Sequence, residues 1–183
     1  RTKSSAASDV YKRQGETASG KYPVESVQTM SRIAASTEQG LQSSNLKPES
    51  ATRFKSTRAV AHAGVELAKM AGASRILVAT ERGNAPRLVS SYRPGMPVTA
   101  VTDSLVTARR IQILSGVDSV IVEEYERGSK TMQNAIALQL DSGKVQPGDK
   151  IVAISGSPKA ISGLTSTARL YKISDSGEIV GTE

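Results

Sequence analysis

Apolar residues recur along the first third of the chain at helical spacing. Over residues 22–39 they fall three or four positions apart, which predicts an amphipathic helix. Pro23 suits the first turn of this helix, where a missing N–H costs nothing, and Gly40 suits its end. A second amphipathic helix is predicted over residues 57–71, ending at Gly72. The polar stretch between the two helices contains Pro48 and predicts a linker.

Short, continuously apolar runs dominate the remainder of the chain. They lie at residues 75–79, 97–101, 119–123 and 150–154, and such runs are typical of strands buried on both faces of a parallel sheet. Helices are predicted between them at 85–92, 104–115 and 129–141. This alternation predicts an open three-layer α/β/α sandwich. Residues 165–173 alternate polar and apolar, which predicts a final antiparallel strand at the sheet edge, with the residues behind it fraying.

Composition narrows the class of protein. The chain has no cysteine and one histidine, which excludes disulfide scaffolds, thiolate metal sites and imidazole metal clusters. His62 is therefore interpreted as a packed or capped histidine. No run reaches the ~20 apolar residues that a membrane helix requires, so no membrane partner is expected.

Part of the net charge of +7 comes from the unusual start of the chain. Residues 1–14 hold four basic residues and one acidic residue, so they account for +3 and leave an ordinary +4. With 3% aromatic residues as well, nucleic acid is not expected as a partner. Residues 4–14, SSAASDVYKRQ, lack the pattern of a secretory or transit signal and resemble the translation of a transposase-library sequencing adapter. We therefore expect residues 1–14 to be a non-native leader, and Gly15 to be the first genuine residue of a protein that continues upstream.

Candidate chemistry is expected at the carboxyl ends of the parallel strands, where ligands gather in open sheets. The loop TERGNA at 80–85 combines a hydroxyl, an arginine and the start of a helix, which together form a candidate anion cradle. The loop at 155–167, SGSPKAISGLTST, offers hydroxyls and glycine N–H groups that could close over a phosphate. A plain strand-to-helix turn and a polar connection are the alternatives. Glu123 and Glu124 lack a nucleophile or metal partner, and no catalytic constellation forms after residue 40.

Three long stretches resemble the pyruvate kinase family. GETASGKYPVESVQTM, residues 15–30, is similar to the family's GETAxGxYPVEAVxxM, at the eighth strand–helix junction of its catalytic (β/α)8 barrel. SYRPGMPVTAVTDSLVTARRIQILSGV, residues 91–117, is similar to RYRPxxPIxAVTxxxxTARxLxLxxGV. VQPGDKIVAISGSP and GLTSTARL resemble parts of KGDxVVxxxGxPxGxxGTTNTxRV. The resemblance extends from Gly15 to about Leu170.

The resemblance implies a cytoplasmic, glycolytic phosphotransferase that moves phosphate from phosphoenolpyruvate to ADP, requires Mg2+ and K+, and forms a homotetramer. It also implies that this chain is the C-terminal part: 15–40 a remnant of the last barrel junction, 41–56 a linker, and 57–183 the allosteric domain. The family's catalytic lysine, metal ligands and lid lie upstream, and only Gly15, Glu16 and Thr17 belong to the active-site wall. We expect this chain alone to be inactive and to bind no metal. We also expect an unpartnered apolar face on the helix at 22–39.

The resemblance further implies an effector site at the two loops noted above. The expected contacts are Thr80, Glu81, Arg82, Gly83, Asn84, Ala85, Gly156, Ser162, Gly163 and Thr165. The pattern associated with fructose 1,6-bisphosphate is T-x-S-G-x-[ST]. Here Arg82 replaces its first serine, and Asn84-Ala85 covers the second hydroxyl position. A sugar monophosphate or AMP is therefore an equal candidate, and an unregulated site stays open. A freestanding phosphometabolite-binding α/β module is the alternative to the enzyme interpretation.

Overall fold

The computed structural model describes residues 15–40, 55–123, 125, 129–156 and 164–181. The chain divides into two compact units, residues 1–42 and 43–183. The predicted leader lies outside the described residues, as does the predicted linker except for its last two positions. The proposed origins of these two segments stay predictions.

The first unit contains one described helix, α1, at Pro23–Gly40. Its bounds agree with the prediction from apolar spacing, and the proline occupies the first position, where no intrahelical N–H bond is lost. The large apolar side chains Val24, Val27 and Ile33 of α1, and Tyr22 just before it, each expose more than half of their surface. Among the described residues, α1 thus carries an exposed apolar face.

The second unit alternates helices and strands in the predicted order. The helices are α2 (Lys55–Ala71), α3 (Asn84–Ser91), α4 (Leu105–Ile111) and α5 (Ser129–Asp141). The strands are β1 (Arg75–Ala79), β2 (Val98–Thr102), β3 (Val117–Ile121), β4 (Lys150–Ser155), β5 (Thr167–Ile173) and β6 (Ile179–Gly181). They form one six-stranded sheet in the order β3-β2-β1-β4-β5-β6.

The sheet is parallel over its first four strands and antiparallel beyond them. Strand β1 lies between β2 and β4, and Val78 pairs with Ala100 on one side and with Ile154 on the other. Strand β5 runs antiparallel to β4, with Val152 opposite Leu170. The predicted parallel sheet and the predicted antiparallel last run are both confirmed.

Each face of the sheet carries its own apolar core. On one face, residues of β1, β2 and β4 pack with buried residues of α2, α3 and α4. On the other face, Leu77, Val101 and Ile151 pack with Met132 and Ile136 of α5. Successive strand residues point to opposite faces, so the continuously apolar runs fill both cores. The predicted three-layer α/β/α sandwich is confirmed.

Several element bounds differ from the prediction, and α4 shows why. The helix expected to reach residue 115 ends at Ile111, after which Leu114 N–H bonds to the carbonyl of Ile111 in a tight turn. Ile113, whose apolar character extended the helical pattern, is 90% exposed. The third strand likewise starts two residues early, at Val117, because pairing with Val98 fixes its register. Periodicity does not distinguish an exposed isoleucine from a buried one.

The prediction that β5 lies at the edge of the sheet was wrong. The residues expected to fray behind it form β6, which pairs antiparallel with β5 through Lys172 and Val180. The connection turns at Gly177, whose φ of 84° lies in the left-handed region, and the N–H of Glu178 bonds to the Ser174 hydroxyl. A short loop with glycine at a left-handed position is a common hairpin connection, so the sequence SDSGE did carry a signal.

A polar network crosses the α5 face at the amino ends of β1, β2 and β3. The Arg75 guanidinium donates to the Thr99 hydroxyl at 2.7 Å and forms an ion pair with Asp118 at 3.2 Å. The Thr99 hydroxyl donates in turn to Asp118 at 2.6 Å, and Lys144 approaches the same carboxylate at 2.9 Å. The network therefore joins three neighbouring strands by side-chain bonds, far from their carboxyl ends.

This network predicts a loss of stability in acid. Burial raises the pKa of Asp118, but the Thr99 and Lys144 hydrogen bonds and the Arg75 and Lys144 charges outweigh burial, so the pKa of Asp118 is lowered from its usual value. Because the folded pKa is the lower one, the contribution to stability is complete above the unfolded pKa of ~3.9 and is lost as the pH falls through the folded pKa. Thr99→Val removes one of the lowering interactions and should raise the Asp118 pKa, measured by carbon NMR of the carboxyl group. An unchanged pKa would show that the Thr99 bond does not form in solution.

Candidate functional site

The carboxyl ends of the four parallel strands lie side by side at one edge of the sheet. Their registers are aligned: Val78 pairs with both Ala100 and Ile154, and Ala100 pairs with Ser119. Adjacent strands lie about 4.8 Å apart, so the segments that follow β1 and β4 leave the sheet as neighbours. We name these segments loop A, residues 80–85, and loop B, residues 156–167. Sequence reasoning expected them at a shared edge, and the strand pairing supports that placement.

Loop A is a tight turn built on a buried hydroxyl. Thr80 is 6% exposed, and its Oγ1 accepts the N–H of Gly83 at 2.8 Å. Gly83 has a φ of 85°, and a Cβ there would come 2.9 Å from the side chain of Ile111. Both the left-handed conformation and this close approach require glycine. Thr80 and Gly83 thus shape the loop, and neither presents a free side chain to a ligand.

The outward groups of loop A are those that suit an anion. Arg82 and Asn84 are exposed, and α3 begins at Asn84 with Gly83 as its N-cap. Glycine has no side chain to accept from the first-turn amides, and a helix N-terminus attracts negative charge. Ala85 is 6% exposed and packs in the core, so only its backbone N–H can serve a ligand. The expected cradle therefore reduces to one guanidinium and backbone amides.

The described part of loop B lies against β4 and α2. The main chain at Gly156 lies close to the main chain at Leu164, because a Cβ on Gly156 would come 2.6 Å from the Leu164 carbonyl oxygen. Thr165 is 5% exposed and donates its N–H to the Thr57 hydroxyl at 3.3 Å. Ser166 N–H bonds to the carbonyl of Ser155. Ser162 and Gly163, two of the expected contacts, lie outside the described residues.

Two threonines that hold these loops were missed by sequence reasoning. Thr57 lies in the first turn of α2 and accepts from loop B. Thr107 lies in the first turn of α4, and its hydroxyl donates to the carbonyl of Glu81 in loop A at 2.9 Å. Both are nearly buried, at 2% and 6% exposure. A hydroxyl in the first turn of a helix that starts at this edge was the only sequence signal for either.

The remaining candidates lie outside loops A and B, and Glu123 follows β3 at the same edge of the sheet. Gly15, Glu16 and Thr17 belong to the first unit, where the Glu16 carbonyl accepts from the Ser26 hydroxyl. Of the two glutamates that follow β3, Glu123 is exposed and Glu124 lies outside the described residues. Within the described ranges, no group of three His, Cys, Asp or Glu side chains could hold a metal ion. None of the described helices is long and apolar enough to cross a membrane.

His62 differs from its interpretation as a packed residue. It is exposed on α2, although its ring contacts the ring of Tyr92 at a centroid distance of 5.2 Å. Burial raises the pKa of the Tyr92 phenol, and the nearby Arg58 charge offsets part of that rise. This aromatic pair joins α2 to the end of α3, on the side of the domain that faces away from α5.

Comparison with known proteins gives consistent matches. A family model described as "Pyruvate kinase, alpha/beta domain" matches residues 58–171. The pyruvate kinase of Staphylococcus epidermidis is 35% identical over 164 residues, which cover 88% of this chain and 28% of that protein. The pyruvate kinase of Staphylococcus aureus is 33% identical over 180 residues, covering 92% and 31% respectively.

Solved structures agree with these matches. Two crystal structures of pyruvate kinase from Cryptosporidium parvum superpose with TM-scores of 0.70 and 0.71, at 27% and 29% identity. They cover 86% of this chain, and the chain covers 31% and 32% of theirs. The chain thus spans less than a third of the length of the relatives it matches.

Proposed function

Because the chain belongs to the pyruvate kinase family, we propose that it serves an enzyme that transfers phosphate from phosphoenolpyruvate to ADP. The chain corresponds to the C-terminal part of that enzyme. Its role there is to bind an effector and to contribute subunit contacts, while the reacting groups belong to the part of the relatives that it does not cover. The single observation that carries this proposal is the family match over residues 58–171, which falls on the α/β domain.

The proposed enzyme uses Mg2+ and K+, as the family resemblance implies. Within the described residues, no group of three His, Cys, Asp or Glu side chains could hold a metal ion, and a Mg2+ site in a kinase uses one or two carboxylates together with substrate phosphates. No metal-dependent step is therefore assigned to these residues. Gly15, Glu16 and Thr17 are proposed as part of the active-site wall of the complete enzyme.

Effector binding is proposed at the edge formed by loops A and B. Arg82 supplies the one cation in residues 80–85, and guanidinium groups match phosphate oxygens with two parallel bonds. The N-terminal amides of α3 add donors and a favourable dipole. Thr80 and Thr165 are nearly buried; the Thr80 hydroxyl accepts the Gly83 N–H and the Thr165 N–H bonds to Thr57, so we assign both residues to the support of the loops.

The chemistry of loop A favours a ligand with one terminal phosphate. Of the three hydroxyl positions in the fructose 1,6-bisphosphate pattern, Thr80 keeps the first, whereas Arg82 and the segment Asn84-Ala85 occupy the other two. A sugar monophosphate or AMP needs fewer hydroxyl contacts from the protein. The Arg82 guanidinium can still bind its single phosphate. We also propose that the complete enzyme is a cytoplasmic homo-oligomer, as the family resemblance implies.

The enzyme proposal is tested by the coding sequence upstream of the Gly15 codon. We expect about 300 further residues that include a (β/α)8 barrel, a fold of about 250 residues. A reading frame that starts at or near Gly15 would refute the proposal and would favour a freestanding phosphometabolite-binding module. Codons for residues 1–14 found in the genome would refute the adapter origin of the leader.

The effector proposal is tested by thermal unfolding of the chain with phosphorylated metabolites. Glucose 6-phosphate, ribose 5-phosphate, AMP and fructose 1,6-bisphosphate are added separately, each with its unphosphorylated counterpart as control. A ligand at ~100 times its Kd stabilises the folded state by about 2.7 kcal/mol, so at least one phosphorylated compound should raise the melting temperature by several degrees. No shift with any of them would refute effector binding at this site.

A further inference from the structure

We propose that Thr107 is a positioning residue for the phosphate site: it fixes the direction of the Glu81–Arg82 peptide of loop A from the neighbouring helix α4. This inference rests on the proposed effector function of loop A. Thr107 itself touches no ligand in this scheme, because it is 6% exposed and its hydroxyl is used within the protein.

The bond from Thr107 is the last in a series of hydroxyl contacts that begins in β2. Thr102, fully buried at the end of the strand, accepts the N–H of Ser104 at 3.2 Å. Ser104 caps α4 by accepting the N–H of Thr107 at 3.3 Å. The Thr107 hydroxyl then donates to the Glu81 carbonyl at 2.9 Å. The conformation of loop A is thereby tied to the β2–α4 connection, a segment that is separate from it in sequence.

The geometry of the peptide unit means that the Thr107 bond also sets the direction of the Arg82 N–H donor. The unit is planar and trans, so its carbonyl and N–H point in opposite directions. Holding the Glu81 carbonyl toward α4 therefore directs the Arg82 N–H away from α4. The same bond fixes the main chain from which the Arg82 side chain extends. Thr107 thus sets the direction of two donors that the proposed phosphate site requires.

Thr80 holds the other end of the turn, through its bond to Gly83 N–H at 2.8 Å. Loop A is consequently fixed twice, once from its own strand and once from α4. A pre-organised loop loses less conformational freedom on binding, which improves affinity without a new contact. Loss of the Thr107 bond alone should weaken binding without unfolding the turn.

The test compares Thr107→Val with Thr107→Ser in the full chain. Valine has nearly the same shape but no donor, and the N–H of residue 107 can still bond to Ser104. Serine keeps the donor. Two quantities are measured: the dissociation constant for inorganic phosphate, from NMR titration of the amides of residues 80–85, and the hydrogen-exchange rate of the Gly83 amide without ligand.

The valine variant should bind phosphate about fivefold more weakly, the loss expected for one neutral hydrogen bond, and its Gly83 amide should exchange faster. The serine variant should stay within about twofold of the wild type in both quantities, as one retained hydroxyl implies. Equal phosphate affinity and equal exchange in the valine variant would overturn the proposal. So would equal losses in both variants, since these would show a packing effect of the methyl group.

The exchange rate separates this proposal from the proposed function. If the wild-type chain shows no response to phosphate, effector binding fails, while faster exchange in Thr107→Val alone would still support the positioning of loop A. If Thr107→Val does not fold, Ser104→Ala provides the second variant. It removes the cap that orients the first turn of α4 and should give a smaller change of the same sign in Gly83 exchange. No change there would overturn the series of contacts.

Discussion

Arg82→Ala should abolish the rise in melting temperature that a sugar phosphate or AMP gives the wild-type chain. The substitution removes the one cation of loop A. A hydrogen bond to a charged group contributes about 1.5–3 kcal/mol, and its loss corresponds to roughly tenfold to hundredfold weaker binding. With the ligand at about ten times its wild-type Kd, the stabilisation then falls from about 1.4 kcal/mol to roughly 0.1–0.4 kcal/mol. The measurement is thermal unfolding with and without ligand.

Arg87→Ala is the matched control for this experiment. Arg87 is exposed on α3, so its loss changes the net charge equally without removing a proposed contact, and the thermal shift should persist. Arg82→Lys should retain part of the shift, because the charge remains but the planar pair of donors is lost. A full shift in Arg82→Ala would exclude the guanidinium from the site, and equal losses at Arg82 and Arg87 would indicate long-range charge attraction.

Ile136→Ala should destabilise the domain more than any of the substitutions in loop A or α4. Ile136 is fully buried between α5 and the sheet, in the core that contains Leu77, Met132 and Ile151. Truncation of a buried isoleucine to alanine costs about 2–5 kcal/mol, since the lost contacts leave a cavity. Urea unfolding should show a lower midpoint with an unchanged slope. The chain has no tryptophan, so far-UV circular dichroism is the appropriate signal.

Ile113→Ala is the corresponding control, because the same atoms are removed from a residue that is 90% exposed. Its effect should stay within about 0.5 kcal/mol. Similar losses for both variants would contradict the placement of α5 on the sheet and the early end of α4.

Most of the fold was accessible from sequence pattern. The apolar runs at 75–79 and 150–154 became β1 and β4 with bounds that agree to within one residue, and α5 has its predicted bounds. These segments are long, strongly apolar or clearly capped, so the local conformational preference and the burial of the side chains favour the same element. The pattern failed where they disagree, as at Ile113, which is apolar but exposed. It also failed at β6, a strand of three residues whose pairing depends on the hairpin that precedes it.

The candidate site was predictable in part. Loops A and B followed from strand order, because parallel strands place their carboxyl ends together. The sequence did not indicate which loop residues face outward: Thr80 and Ala85 were expected as contacts, but both are nearly buried. Their side chains are occupied by the turn and by the core. The supporting threonines of α2 and α4 were not predictable, since each acts on a loop that is distant in the chain.

The sequence by itself determined the family, the alternation of helices and strands, and the presence of one arginine in a loop after a buried strand. These depend on residue type and on local periodicity, which the chain carries in linear order. Only the tertiary structure decided that β6 is the edge strand beyond β5, that Arg75 bonds to Thr99 and Asp118, and that Thr107 bonds to loop A. The physical reason is that register, burial and hydrogen-bond partners are set by contacts between residues far apart in sequence. Each of these side chains and strands could make several local contacts, and packing of the whole domain selects one of them.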